Sequence, residues 1–174
     1  AGLWLNYMSF WLGLFAEWLT PEKKMRRRKI KLLCKLEILE IRQLLSTIYV
    51  DAIAPGTNDG SSWANAYTDL QSALTAATSG TTIEVAQGTY KPTTGTDRTI
   101  SFEVVGGVGV YGGYAGNGAA NPDARDVSLY PTILSGDIAV PGDNSDNSYH
   151  VLIATDATST ETVDGLTITG GNAD

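Results

Sequence analysis

The sequence predicts an all-β fold: a solenoid of short parallel strands stacked along one long axis, with one α-helix capping its N-terminal end. Three observations lead there. The 174 residues include 19 Gly and only 18% charged side chains, a mix that suits short strands joined by tight turns. The β-prone runs are short, and no two-residue Asn-Gly or Asp-Gly hairpin joins two neighbouring runs, which weakens an antiparallel meander. Similar phrases recur, YGG at 111–113, LSGD at 134–137 and ITGG at 168–171. Each is a β run ended by Gly, the mark of stacked coils.

The elements follow in chain order. Ile48-Tyr49-Val50 is β-prone and is ended by Asp51, after which residues 54–62 form a polar loop dense in turn formers. Thr68 and Gln71 have the spacing of a capping box, with Thr68 as N-cap. Leu70, Ala73, Leu74 and Ala77 then recur at helical spacing. Gly80 suits the stop, so the expected helix covers about residues 68–78. Beyond it, short strands are expected at 82–85, 100–105, 108–111, 132–134, 151–154 and 165–169. The segments 112–126 and 141–148 are loops by composition.

Residues 1–47 do not match the rest. They carry 9 Lys/Arg against 4 Asp/Glu, a net charge of +5, whereas residues 48–174 carry 3 against 15, a net of -12. The apolar run Leu3–Leu19 is interrupted by Asn6 and Glu17, and the basic cluster from Lys23 to Lys31 follows it. A signal peptide places its charges first. A start at Met25 gives a basic leader, but Lys35, Glu37, Glu40 and Arg42 break the apolar stretch behind it. Leu33 argues against a lipid-modified Cys34. The preferred reading is a non-native or mis-started extension, with a poor membrane anchor involving residues 1–20 as the alternative. The domain proper is expected at 48–174. Its acidity disfavours nucleic acid as a partner. Cys34 is the only Cys, so residues 48–174 hold no disulfide or thiolate metal site.

The phrases NDGSSWANAYTDLQSAL, TTIEVAQGTYKPT, VGVYGGYAG, PTILSGDI, DNSYHVL and VDGLTITGGNA appear in that order. The series resembles the N-terminal portion of pectate-lyase-like right-handed parallel β-helix proteins, many of them bacterial surface or secreted proteins. It is similar in style to the polymorphic outer-membrane proteins. The resemblance covers residues 48–174. It implies coils of three short parallel strands, an extracellular or cell-surface location, and a stack that continues past Asp174. In that picture Leu70 and Leu74 form a structural cap over the first coil, with Trp63 packing beside them. The fold hosts lyases, hydrolases, adhesins and passenger domains alike, so it does not choose among activities.

The candidate chemistry is sparse. Lyases of the resembling family set acidic residues and calcium beside a basic residue. Here Lys91, Arg98 and Arg125 are the cations of the acidic region, and solvated loop charge is the preferred reading. His150 has no Ser or Cys partner pattern and reads as structural. No catalytic residue is assigned. Asp137, Asp143, Asn144, Asp146 and Asn147 crowd one loop. Asp143, Asn144 and Asp146 are the candidate calcium ligands, although the spacing misses the EF-hand pattern and turn chemistry is preferred. Tyr90, Tyr111 and Tyr114 are the candidate carbohydrate contacts, against half-buried packing as the plainer role. The leading function is a non-enzymatic surface or secreted scaffold of the adhesin or passenger kind. The alternatives are a polysaccharide lyase or hydrolase with its catalytic coils beyond Asp174, and a carbohydrate-binding module. The expected partners are a polysaccharide or cell-surface ligand, and a second copy through an open C-terminal edge.

Overall fold

The computed structural model describes residues 46–155 and 161–173, which belong to a compact unit spanning Leu44–Asp174. The expectations for residues 1–45, namely the extension, the membrane contact of residues 1–20 and the reading of Cys34, lie outside the described residues.

The described elements run β1 (Thr47–Val50), α1 (Leu70–Ala76), β2 (Thr82–Ala86), β3 (Gly88–Tyr90), β4 (Phe102–Val104), β5 (Gly109–Tyr114), β6 (Thr132–Ser135), β7 (Leu152–Ala154), β8 (Thr162–Asp164) and β9 (Leu166–Thr169). The strands make three small sheets, ordered β1-β2-β5-β8, β3-β6-β9 and β4-β7. Every pairing is parallel.

This arrangement corrects the all-β solenoid expected from the sequence. The described residues form a mixture of strands and one helix, with three small and unequal parallel sheets. The distance along the chain between partners is not constant. Thr82 pairs with Gly109, but Gly109 pairs with Thr162, about twice as far on. The recurring phrases were the misleading signal. YGG lies in β5 of the four-stranded sheet, whereas LSG and ITG belong to β6 and β9 of the three-stranded one. LSG and ITG are paired in register on adjacent strands, but YGG lies on another sheet, so the three phrases do not define one repeat. The expected helix is present. It follows β1, and its Leu70, Ala73 and Leu74 join Val50, Ile83 and Val104 in a single core.

Several local features explain why these residues form these elements. The N-cap of α1 is Asp69, one residue after the expected Thr68. Its Oδ1 accepts from the Ser72 backbone N–H at 2.7 Å and its Oδ2 from the Ser72 hydroxyl at 2.8 Å. A carboxylate so placed satisfies an otherwise unpaired first-turn donor. Thr68 instead donates its hydroxyl to Asn58 Oδ1. The helix ends at Ala76, with Ala77 as its C-cap, before Gly80 is reached. Asp164-Gly165 looks like a hairpin turn but joins β8 of one sheet to β9 of another. Gly165 turns this corner at φ +71°, and a Cβ there would lie 2.7 Å from the Gly112 carbonyl oxygen. Only glycine fits so close an approach of two backbones.

Burial alternates along the strands as half-buried sheets require. Ile83 and Val85 of β2 and Val110 of β5 point inward, with Glu84 and Tyr111 on the opposite face. Thr132 ties two sheets together. Its hydroxyl accepts from Gly113 N–H at 2.9 Å and donates to the Ala86 carbonyl at 3.1 Å.

Candidate carbohydrate-contact face

The outer face of the four-stranded sheet carries a ladder set by strand register. Tyr49 of β1 is paired with Glu84 of β2, Glu84 with Tyr111 of β5, and Tyr111 with Asp164 of β8. Ring and carboxylate thus alternate across the sheet at strand spacing, about 4.8 Å per step. Tyr114 joins the same face through a bulge. Residues three apart on a regular strand point to opposite sides, but the register shifts between Glu84 and Ala86, so that Ala86 pairs with Tyr114. The extra residue sits at Gly112-Gly113, with Gly113 at φ +90°. A bulge re-aims a side chain in this way.

The loop after β5 folds back to complete the face. Ala115 N–H bonds to the Ala124 carbonyl and Asp126 N–H to the Gly113 carbonyl, which brings Asp123 and Arg125 over the strand. Asp123 Oδ1 accepts from Trp63 Nε1–H at 2.7 Å. The Trp63 ring lies 4.8 Å from Tyr49 and 5.6 Å from Tyr114, tilted against both. Arg125 donates from Nε to the Gly112 carbonyl at 2.9 Å, and its Nη2 approaches Asp164 Oδ2 at 3.3 Å. The guanidinium stands 5.6 Å and 5.7 Å from the ring centres of Tyr111 and Tyr114, within cation–π range.

The electrostatics of the face are coupled. Burial pushes the Glu84 carboxyl up, and Asp123 adds to this. A hydrogen bond with Tyr114 and the charge of Arg125 oppose it. The Tyr114 hydroxyl is pushed up to about 12, first by burial and then by Glu84. Tyr49 is raised by burial and by the charges of Glu84 and Asp123. The result is a half-buried surface in which tyrosine rings and carboxylates share one face of the sheet.

The structure separates the residues named from sequence. Tyr111 and Tyr114 share this face. Tyr90 does not, being 4% exposed in the core with its hydroxyl donating to the Ala86 carbonyl, so it has no ring face to offer a ligand. Leu70 and Leu74 are core residues on the buried face of α1, whereas Trp63 lies with the tyrosines and outside that cluster. Arg98 stacks 4.3 Å over Tyr149 and donates to the carbonyls of Asn147 and Asn172. Lys91 is exposed. His150 lines an open groove of about 470 Å³ with Tyr149, Val151 and Ile168. Asp143 accepts from the N–H and hydroxyl of Ser145 as the cap of a 3-10 turn. Asn144 Oδ1 faces Asn147 Nδ2 at 3.4 Å, and Asp146 Oδ2 accepts from Val140 N–H at 2.9 Å. Among the described residues no group of three His, Cys, Asp or Glu is placed to hold a metal ion. No helix among them is long and apolar enough to cross a membrane.

Sequence reading missed Tyr49, Glu84, Asp123 and Asp164. Glu84 alone had a local signal, an acid between the inward-facing Ile83 and Val85. The others depend on pairings between distant segments. No family model, curated protein or solved structure matches the chain.

Proposed function

We propose that this chain is a non-enzymatic scaffold of the cell surface or the secreted space that holds a neutral polysaccharide against the outer face of its four-stranded sheet. The Tyr49–Glu84–Tyr111–Asp164 ladder carries the reading. A parallel sheet sets these side chains in one row at constant spacing, a good match to a ligand that is itself a repeating row of rings and hydroxyls. Three carboxylates against one guanidinium, on a chain of net charge -7, favour a neutral polymer over a uronate. Calcium is the ion suited to the oxygen-rich loop at 137–148.

Trp63 supplies the probe. Its ring touches two of the tyrosines, so polysaccharide binding is expected to change its fluorescence, and Trp63→Phe identifies its share among the 4 Trp of the chain. Affinity electrophoresis through gels holding neutral or uronate polymers reads binding. Tyr111→Ala and Tyr114→Ala are each expected to weaken retention about tenfold, roughly the 1.4 kcal/mol that one aromatic contact supplies. Tyr130→Ala is expected to leave it unchanged. Equal migration in all neutral gels, or loss that ignores Tyr111 and Tyr114, would sink the proposal.

One observation favours a second reading, a hydrolase. Glu84 has a raised carboxyl beside a second acid, Asp123, the relation that a general acid needs. Release of reducing ends from a bound polymer, abolished by Glu84→Gln, would establish that reading in place of the first.

A further inference from the structure

The loop between β6 and β7 contains buried oxygens with nothing to bond. Asp137 and Asp146 both clamp the same short span. Asp137 Oδ2 accepts from Gly142 N–H at 3.0 Å and Asp146 Oδ2 from Val140 N–H at 2.9 Å. The second oxygen of each carboxylate is buried without a hydrogen-bond partner. Asn147 is 3% exposed and its Oδ1 is equally unpartnered. Ser148 is fully buried, and its hydroxyl oxygen, the only polar atom of its side chain, has no partner either. Ser148 N–H bonds to the Gly136 carbonyl at 2.8 Å, which returns this end of the loop to the residue before Asp137.

A buried, unmatched carboxylate oxygen is costly. Two of them occur in one loop with a buried amide and a buried hydroxyl oxygen, and each lacks the partner that a buried polar atom ordinarily has. We propose that Asp137, Asp146 and Asn147, with Ser148 beside them, form a Ca²⁺ site. Hard oxygen donors of mixed kind suit calcium, which tolerates irregular geometry and completes its shell with carbonyls and water. Zinc and its relatives prefer the nitrogen and sulfur donors that are missing from this set. The residues differ from those the sequence pointed to. Asp143 has its carboxylate engaged with Ser145, and Asn144 Oδ1 faces Asn147 Nδ2. Of the three, only Asp146 remains. The site stands apart from the aromatic face and does not depend on the polysaccharide reading.

Calorimetric titration of the metal-stripped full chain with CaCl₂ tests it. One ion per chain is expected, with a rise in melting temperature as it binds. MgCl₂ at the same concentration is expected to compete poorly. Asp137→Asn and Asp146→Asn should each weaken Ca²⁺ binding at least tenfold, while Asp143→Asn should leave it within twofold. If either ligand variant fails to fold, the wild-type stoichiometry and the Asp143→Asn control still decide. Absence of stoichiometric binding at millimolar Ca²⁺ would overturn the site and leave ordered water as the partner of these oxygens. Equal response to Mg²⁺, or loss of binding in Asp143→Asn, would overturn it too.

Discussion

The two sides of the core make an instructive pair. Under α1 the strand residues are sealed: Val50, Ile83 and Val104 are all 0% exposed. Along β8 and β9, residues of the same apolar kind stand half open, with Val163 at 40% and Ile168 at 50%. The register links the two sides, because Ile83 pairs with Val110 and Val110 with Val163. The row is one continuous apolar strip, and its exposure rises towards β8, the edge strand of the sheet among the described residues. Burial here is a property of position in the sheet and not of residue type.

The comparison breaks most sharply with large-to-small substitutions. Leu70→Ala removes a side chain that is 1% exposed and is expected to cost about 2–5 kcal/mol in denaturant unfolding. Ile168→Ala is expected to cost about 1 kcal/mol or less. Equal losses would show that the β9 side is covered in solution.

Association gives the next effect. An edge of unpaired strand with apolar residues recruits another chain. Sedimentation at rising protein concentration is expected to show reversible oligomers, reduced by Ile168→Lys with little change in melting temperature. A wild-type monomer at every concentration would count against the open edge. A smaller change comes from the helix cap. Asp69→Ala removes both bonds to Ser72 and is expected to cost about 1 kcal/mol, whereas Thr68→Ala, at the cap expected from sequence, should cost less.

The smallest effect is a pH dependence. Burial raises the Glu84 carboxyl in the folded chain, so the fold favours its protonated form. That contribution is complete below the unfolded pKa and is lost as pH rises through the folded one. Glu84→Gln is therefore expected to melt like the wild type below about pH 4 and slightly higher at neutral pH, by less than about 1 kcal/mol given the partial exposure of the site. The turn aspartates run the other way. Asp59, Asp97 and Asp143 are lowered by hydrogen bonds from Ser61, Thr99 and Ser145, so their contribution is present at neutral pH and is lost on acidification.

Much of the local structure was legible. The spacing of Leu70, Ala73 and Leu74 marked the buried face of α1, and most β-prone runs became strands within a residue or two. β3 and β8 were missed because Gly88-Thr89-Tyr90 and Thr162-Val163-Asp164 are too short to show alternation. The overall architecture was misjudged because three glycine-ended phrases looked like one repeat although YGG lies on a different sheet from LSG and ITG. The calcium-ligand reading named Asp143 because clustering along the chain carries no information about which oxygens are already bonded.

The amino-acid sequence by itself determined the helix face, the short strands and their glycine ends, since these depend on propensities and periodicities within a few residues. Tertiary structure alone decided that Tyr49, Glu84, Tyr111 and Asp164 stand in one row, that Tyr114 joins them, and that Tyr90 does not. The reason is register. Parallel partners lie far apart in the chain, and a one-residue bulge at Gly112-Gly113 inverts which face a side chain reaches. No local pattern encodes that choice, because it is set when the apolar residues of separate segments align to bury a common core.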